Sequence, residues 1–376
     1  MQLTVTVKLN TTPEIHTALL ETMRVCNGAC DRISQTGFES KTFRQFDLHA
    51  LVYRNIKAET GLASNHVIRS IAKVSDAYKL DTNTLRTFQS TGAIELDKDL
   101  LTWKVQEQTV SINTLQSRLK QIPFLCSAEQ KELLGQKRGQ ADLLLRDRQF
   151  YLAVAVNVPE AQVFPPCGVI GVDLGIVNVA TDSEGHIYTG EPIKQVRRKY
   201  RRQRQLLAPH KTPSARKRRK KMTRKESRFV KDTNDCISKQ LVHLATLRQK
   251  ALAVEVLTGI RQRGNGFNRV MRTELNSWAF LQLKRFLTYK CQRSGVTLIE
   301  VDPRYSSQTC SRCGHCERAN RKTQEGFCCV CCGLKLNADY NASLNLKARG
   351  ELSAALMFRA EASASHLGQA VSVRGR

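Results

Sequence analysis

Long apolar runs are missing from this 376-residue chain, and no stretch approaches the ~18 residues that cross a bilayer. The opening MQLTVTVKLN alternates like a strand and lacks the continuous apolar core of a secretory signal. Lipidation patterns and basic amphipathic surface helices are also missing, so no membrane partner is expected. These absences predict an intracellular protein. Acidic residues are scarce as well: 33 Asp and Glu face 60 Lys and Arg, leaving a formal net charge of +27. Repulsion on that scale opposes compaction unless a polyanion offsets it, and nucleic acid is the polyanion that composition favours. Hydrophobic residues make up 41% of the chain, enough for a packed core and against wholesale disorder.

Cysteine is present in an uneven way. Of 13 cysteines, seven lie between Cys310 and Cys332. The remaining Cys26, Cys30, Cys126, Cys167, Cys236 and Cys291 are scattered and read as small buried hydrophobes. In the cluster, Cys310 and Cys313 form C-x-x-C followed by Gly314. The second half allows two registers, Cys328 with Cys331 or Cys329 with Cys332, and only the latter is followed by glycine, Gly333. Two such knuckles ~15–20 residues apart read as a four-thiolate zinc ribbon, and the repeated glycine favours Cys310, Cys313, Cys329 and Cys332 as ligands. A fully closed thiolate set makes one structural Zn²⁺, not a catalytic one.

Along the chain, QLTVTVKL has the period of a strand, and a helical pattern follows from Pro13 to about Phe88. Within it Val67, Ile71, Val74 and Tyr78 make a core stripe, while Arg69 and Lys73 lie opposite as candidate nucleic-acid contacts. Short β-like runs return from Gly92 to Asn157, with a hairpin expected around Arg146, Asp147 and Arg148. A β unit is thus interrupted by a helical insertion after its first strand. The proline-rich VPEAQVFPPCG reads as a linker, and GVIGVDLGIVNVATDSEGHIYTG then opens a second domain with three strands. From Lys194 to Lys231 the chain holds 18 Lys and Arg against one Glu, and Pro209 and Pro213 divide the run into two helices. Charge runs are commonly only solvated faces. This one is internal, helical and interleaved with Tyr200 and Phe229, so a phosphate-tracking surface is expected. Its candidate contacts are Arg197, Arg198, Arg201, Arg202, Arg218, Arg219, Arg224 and Arg228.

Three carboxylates stand out by position. Asp173 ends the apolar VIGVD, Glu255 ends ALAVE, and Asp339 begins the helical NADYNASLNL. Singly, each has a plain explanation as a strand-end turn, a surface pair or a helix N-terminal charge. Jointly they have the form of an RNase H-like nuclease site, where converging carboxylates hold two Mg²⁺ ions ~3.5–4 Å apart for in-line attack on phosphate.

These stretches resemble the TnpB family of transposon-encoded RNA-guided nucleases, which is similar to type V CRISPR effectors. The resemblance runs through GVIGVDLG, VEVLTGIR and NADYNASLNL, and extends to SRFVKDTNDCISKQ, LNSWAFLQLKRFLTYKCQRSGV and VDPRYSSQTCSRCGH. It is looser in VKLNTTPE and IRSIAKVSDAYK. It implies an α/β plus β-barrel protein. A wedge barrel (residues 1–12 and 89–160) would carry a helical recognition insertion (13–88) and precede a RuvC-like nuclease (168–305 and 336–350). A zinc ribbon (306–335) would be inserted in the nuclease, and a flexible tail (351–376) would follow it. The resemblance further implies Asp173, Glu255 and Asp339 as the Mg²⁺-binding catalytic triad, and a mobile lid over Leu257 to Arg261. The implied partners are a noncoding guide RNA from the transposon end and double-stranded target DNA, cut beside a short flanking motif in a prokaryotic cytoplasm, at the nucleoid. Asp235, where family members often carry His, and the extra Cys328 and Cys331 depart from the pattern. Two other readings stay open: a nuclease-inactive RNA-guided repressor, and a zinc-ribbon DNA-binding transposase accessory that needs no RNA.

Overall fold

A computed structural model describes residues 1–136, 138–175, 177–256 and 279–372. The expected lid, Leu257 to Arg261, lies outside the described residues. The chain divides into two compact units, Met1–Pro159 and Glu160–Arg376.

In the first unit, strand β1 (Gln2–Leu9) leads into helices α1 (Pro13–Glu39), α2 (Gln45–Thr60) and α3 (Ser64–Tyr78). Thr12 caps α1 through its side chain, with Pro13 at the first helical position, where a missing N–H costs nothing. Strands β2 (Ile94–Leu96), β3 (Leu101–Lys104), β4 (Thr109–Asn113) and β5 (Arg118–Leu125) follow, then helix α4 (Ala128–Gly135) and strands β6 (Arg138–Arg146) and β7 (Gln149–Asn157). The antiparallel sheet has the order β2-β6-β7-β1-β5-β4-β3, so β1 sits at its centre, far in sequence from its neighbours. The β6–β7 hairpin turns at Asp147 and Arg148, with φ of 51° and 63°, the left-handed pair that a two-residue hairpin loop requires.

The expected barrel is met in part, as a half-barrel sheet: no pairing joins β2 to β3 among the described residues. Edge strands of three and four residues offer few ladder bonds. The apolar face is covered by helices: Leu19, Met23, Ile33, Val67, Ile71 and Val74 share one core with Val5, Val7, Leu143 and Leu152.

The second unit is built on a five-stranded sheet, β10-β9-β8-β11-β12. Its members are β8 (Val169–Asp173), β9 (Asn178–Asp182), β10 (Ile187–Thr189), β11 (Ala251–Glu255) and β12 (Leu298–Val301). The first three form an antiparallel meander, whereas β8, β11 and β12 run parallel. Helices α5 (Glu191–Leu207) and α6 (Pro213–Leu247) occupy the basic run, and α7 (Phe280–Ser294) precedes β12. The parallel strands are apolar on both faces because both are covered. Ile170, Val172, Leu252 and Val254 pack with Ile237, Leu241, Leu283 and Leu287 of α6 and α7. Val169, Ala251, Ala253, Ile299 and Val301 pack with Leu346 and Ala354 of the last helix, α8 (Ala338–Ser372).

That helix corrects the expected tail. Residues 351–372 continue α8 without a break, because the Ala-rich segment has high helix propensity and contains no proline. Gly350 does not end it: a Cβ there would press on Ala253 and Val169, so glycine admits the helix close to the sheet.

Gly171 permits a tighter approach. A Cβ on it would run into the backbone of Ser343 and Lys347 in α8, which no rotamer change can relieve. Gly171→Ala is therefore expected to lower the Tm of this unit by roughly 5–10 °C, the effect of ~1–3 kcal/mol of overpacking. Calorimetry checks this, and an unchanged Tm would contradict the close seating of α8.

Candidate functional site

Parallel pairing fixes the first two carboxylates. Val172 pairs with Val254, so Asp173 and Glu255, the next residues along, end adjacent strands at the same edge. The carboxyl ends of parallel strands are where open α/β sheets place their ligands. Asp339 comes from the first turn of α8, whose N-terminus is capped by Asn337: its Oδ1 accepts from the N–H groups of Asp339 and Tyr340 at 3.0 and 3.1 Å. Burial pushes the Asp173 carboxyl well above the usual carboxylate range, and the negative charges of Glu255 and then Asp339 push it further. Arg321 acts in the opposite sense. The three acids thus form one electrostatic unit with an excess of negative charge.

Two partners of this unit escaped the sequence reading. The Asn178 amide at the start of β9 donates to Asp339 Oδ2 at 2.9 Å. The Arg321 guanidinium lies 3.4 Å from Asp339 Oδ1 and also donates to the Gln324 carbonyl at 2.8 Å. Hard oxygen donors with surplus negative charge suit Mg²⁺, so the donor chemistry here fits that ion.

The cysteine cluster lies between β12 and α8. Strands β13 (Gly326–Cys328) and β14 (Lys335–Asn337) form its hairpin. The sulfurs of Cys310, Cys313, Cys329 and Cys332 all lie within 4.8 Å of one another. Cys310 and Cys332 sulfurs are 3.6 Å apart, as are those of Cys313 and Cys329. Gly314 and Gly333 take φ of 75° and 70°, which closes each knuckle, and the Gly314 and Gly333 N–H groups donate back to the Cys310 and Cys329 carbonyls. The Cys332 N–H donates to Cys329 Sγ and, as the largest cause, draws that thiol down to about 6. Cys316, Cys328 and Cys331 are exposed and outside the four-sulfur group. Four thiolates in this spacing fit a tetrahedral Zn²⁺.

The ribbon is fastened to the helix that carries Asp339. Asn341 accepts from the Ser311 N–H at 3.1 Å and donates to the Thr309 carbonyl at 2.8 Å. Asn345 donates to the carbonyls of Ser306 and Thr309 at 2.8 and 2.7 Å. Both asparagines are buried, so these bonds replace lost hydration and fix the position of the ribbon on α8.

The candidate nucleic-acid contacts divide into two groups. Arg201, Arg202, Arg218, Arg219, Arg224 and Arg228 are exposed along α5 and α6. Arg198 is also exposed, 3.6 Å from Glu191, and Arg197 is half-buried. The α5–α6 pair is held by Arg204 and Glu226, 2.6 Å apart. Arg69 and Lys73 form the other group, and both already have partners within the first unit. Arg69 pairs with Asp97 at 3.1 Å and Glu95 at 3.8 Å, and Lys73 donates to Asn27 and the Ala93 carbonyl, each at 2.7 Å. Arg69 thus joins α3 to the segment at β2 through carboxylates, and Lys73 ties α3 to α1 and to the start of the sheet through neutral oxygens. Asp235, the departure on α6, pairs with Lys290 of α7 at 2.9 Å and is a helix-packing contact. Of the scattered cysteines, Cys26, Cys30 and Cys291 are buried as expected, but Cys167 and Cys236 are exposed. Cys167 lies in the linker and Cys236 on the solvent side of α6, where core packing makes no demand.

Comparison with known proteins bears on these arrangements. The family described as "Probable transposase" (OrfB_IS605) matches residues 152–258, and the "Cas12f1-like, TNB domain" family matches residues 280–346. Over these segments the chain is similar to TnpB-like proteins and to Cas12f1. A TnpB-like protein of Methanocaldococcus jannaschii is 32% identical over 126 residues, 34% of this chain and 45% of that protein. A CRISPR-associated endodeoxyribonuclease, Cas12f1, of Sulfoacidibacillus thermotolerans is 36% identical over 123 residues, 32% of this chain and 28% of that protein. The chain thus matches less than half the length of either relative. The fold of Cas12f1 in a complex with guide RNA and target DNA superposes with a TM-score of 0.58 at 15% identity, covering 88% of this chain and 82% of that one. No helix among the described residues is long and apolar enough to cross a membrane.

Proposed function

We propose that this protein is a TnpB-type RNA-guided endonuclease that cuts double-stranded DNA next to a short flanking motif, with its second unit as the RuvC-like nuclease and its first as the wedge. The observation that carries the reading is the electrostatic unit of Asp173, Glu255 and Asp339 at one sheet edge, with Asp173 raised by burial and then by the charges of its two neighbours. In this reading the three carboxylates hold two Mg²⁺ ions. Bound Mg²⁺ supplies Lewis-acid stabilisation of phosphate oxygens and a more acidic water. The chain's own residues do the positioning: Asn178 fixes the rotation of the Asp339 carboxylate through Oδ2, and Arg321 neutralises part of its charge at Oδ1. The zinc ribbon, bonded to α8 at Asn341 and Asn345, sets the register of Asp339 against the sheet. The exposed cations of α5 and α6 carry guide RNA and heteroduplex by their backbones, while base pairing reads the target.

The test uses protein purified with its co-expressed RNA, incubated with target plasmid and Mg²⁺. The expected outcome is linear plasmid from the parent and none from Asp173→Ala. RNA-dependent binding with no cutting by the parent would make it a repressor. Binding and cutting indifferent to RNA would point to a transposase accessory.

A further inference from the structure

Helices α5 and α6 enclose an open cleft of about 470 Å³, lined by Tyr200 and Gln203 on one side and Ser214, Lys217, Arg218, Lys221, Met222 and Lys225 on the other. That volume lies within the ~300–1,000 Å³ of small-ligand pockets, whereas a merely solvated charged face needs no concavity. Lys217, Lys221 and Lys225 recur at four-residue spacing and so share one face of α6, with Arg218 beside them. All four cations are exposed, and the one carboxylate of the basic run, Glu226, is already held by Arg204. Met222 is 8% exposed and gives the cleft an apolar floor, with the half-buried Tyr200 ring across from it. Gln203 supplies a neutral amide donor and acceptor. An aromatic face, an apolar floor, an amide and a row of unpaired cations are complementary to one unstacked nucleotide: base between Tyr200 and Met222, phosphates along the lysines.

We infer that the α5–α6 cleft is a binding site for a single unpaired nucleotide in a nucleic-acid strand, with Tyr200 as its stacking residue. This rests on the reading of the chain as a nucleic-acid binder, but not on its cutting anything. It also moves the main contacts from the arginines of the outer face to Lys217, Lys221, Lys225 and Tyr200, with Arg218 common to both sets.

The probe is a 12-nucleotide single strand with one central 2-aminopurine, made as RNA and as DNA and titrated into the full chain without Mg²⁺, so that no cleavage intervenes. Binding is expected to quench the fluorophore. Tyr200→Ala should abolish the quenching and weaken binding about 5- to 100-fold, with the salt slope unchanged, while Tyr200→Phe retains both. Lys217→Gln combined with Lys221→Gln should instead lower the slope of log K against log salt by about 1.4, two phosphate contacts on a single strand. Tighter RNA binding would assign the strand to the guide, and tighter DNA binding to the opened target; either supports the cleft. Unchanged quenching and affinity in Tyr200→Ala, or an unchanged salt slope in the lysine double variant, would overturn it. Tyr200 is only half-buried, and circular dichroism of each variant separates loss of binding from loss of fold. A chain that binds in this way but never cuts plasmid would refute the proposed endonuclease and leave the cleft standing.

Discussion

Asp173→Asn is expected to reduce plasmid cleavage by roughly 10³–10⁶-fold, the range for removing one member of a group that acts as a unit, while RNA binding stays at parental strength. Glu255→Gln and Asp339→Asn should behave alike, and pairs of these substitutions should be little worse than singles. The same substitution should act on stability in the opposite sense. Burial and the charges of Glu255 and Asp339 raise the Asp173 carboxyl in the folded protein, so the folded state favours its protonated form. A raised carboxyl contributes stability that is present at low pH and lost as pH climbs through its folded value. In metal-free protein, Asp173→Asn should therefore be at least as stable as the parent, with an advantage that widens as pH rises through that range. A variant that loses cleavage and stability together at every pH would indicate a structural role for Asp173 instead.

Removing zinc should have the second largest effect. The ribbon's buried apolar cluster holds only Cys310, Phe327, Cys329 and Ala338, with Cys332 and Leu334 against it. A core that small cannot offset the chain entropy of the segment, whereas structural Zn²⁺ binding is worth about 10–16 kcal/mol. Chelation, or Cys329→Ser, is expected to melt the ribbon, release the contacts of Asn341 and Asn345, and withdraw Arg321 from Asp339. Cleavage should fall to about 1% or less of the parent, by the positional sensitivity of catalytic groups. Strand binding by α5 and α6 should persist. Cys328→Ser and Cys331→Ser should cost little, since both thiols are exposed and outside the four-sulfur group. Cleavage undiminished after stoichiometric zinc release, or equal damage from Cys328→Ser and Cys329→Ser, would count against this arrangement.

How much of this was legible in the sequence depended on whether the signal was local. The zinc register could be read because Gly333 repeats Gly314, and a knuckle needs its positive φ at that place. Asp173 and Glu255 were visible as acids closing apolar strands, a pattern that parallel pairing then aligns. Non-local partners were not visible. Arg69 and Lys73 lie on the expected helix face, but Asp97, Asn27 and Ala93, which engage them, are remote in sequence, and periodicity identifies a face without naming what meets it. Arg321 sits among Arg318 and Lys322 with nothing local to single it out. Asn178 did leave a trace: a hairpin returning beside Asp173 must bring the start of its second strand near the same edge. The segment after Gly350 was misread because an Ala-rich, Ser-containing stretch satisfies both a tail and a helix, and the sheet that seats α8 decides between them.

The central claim, that RNA directs the cut, is tested most directly by exchanging the guide. The protein is purified with either of two RNAs that differ only in their guide segment, and each complex is offered a plasmid carrying both targets beside the same flanking sequence. The account predicts that the cut moves with the guide and disappears in Asp173→Asn. Cutting at one position whatever the guide, or cutting by RNA-free protein, would contradict it.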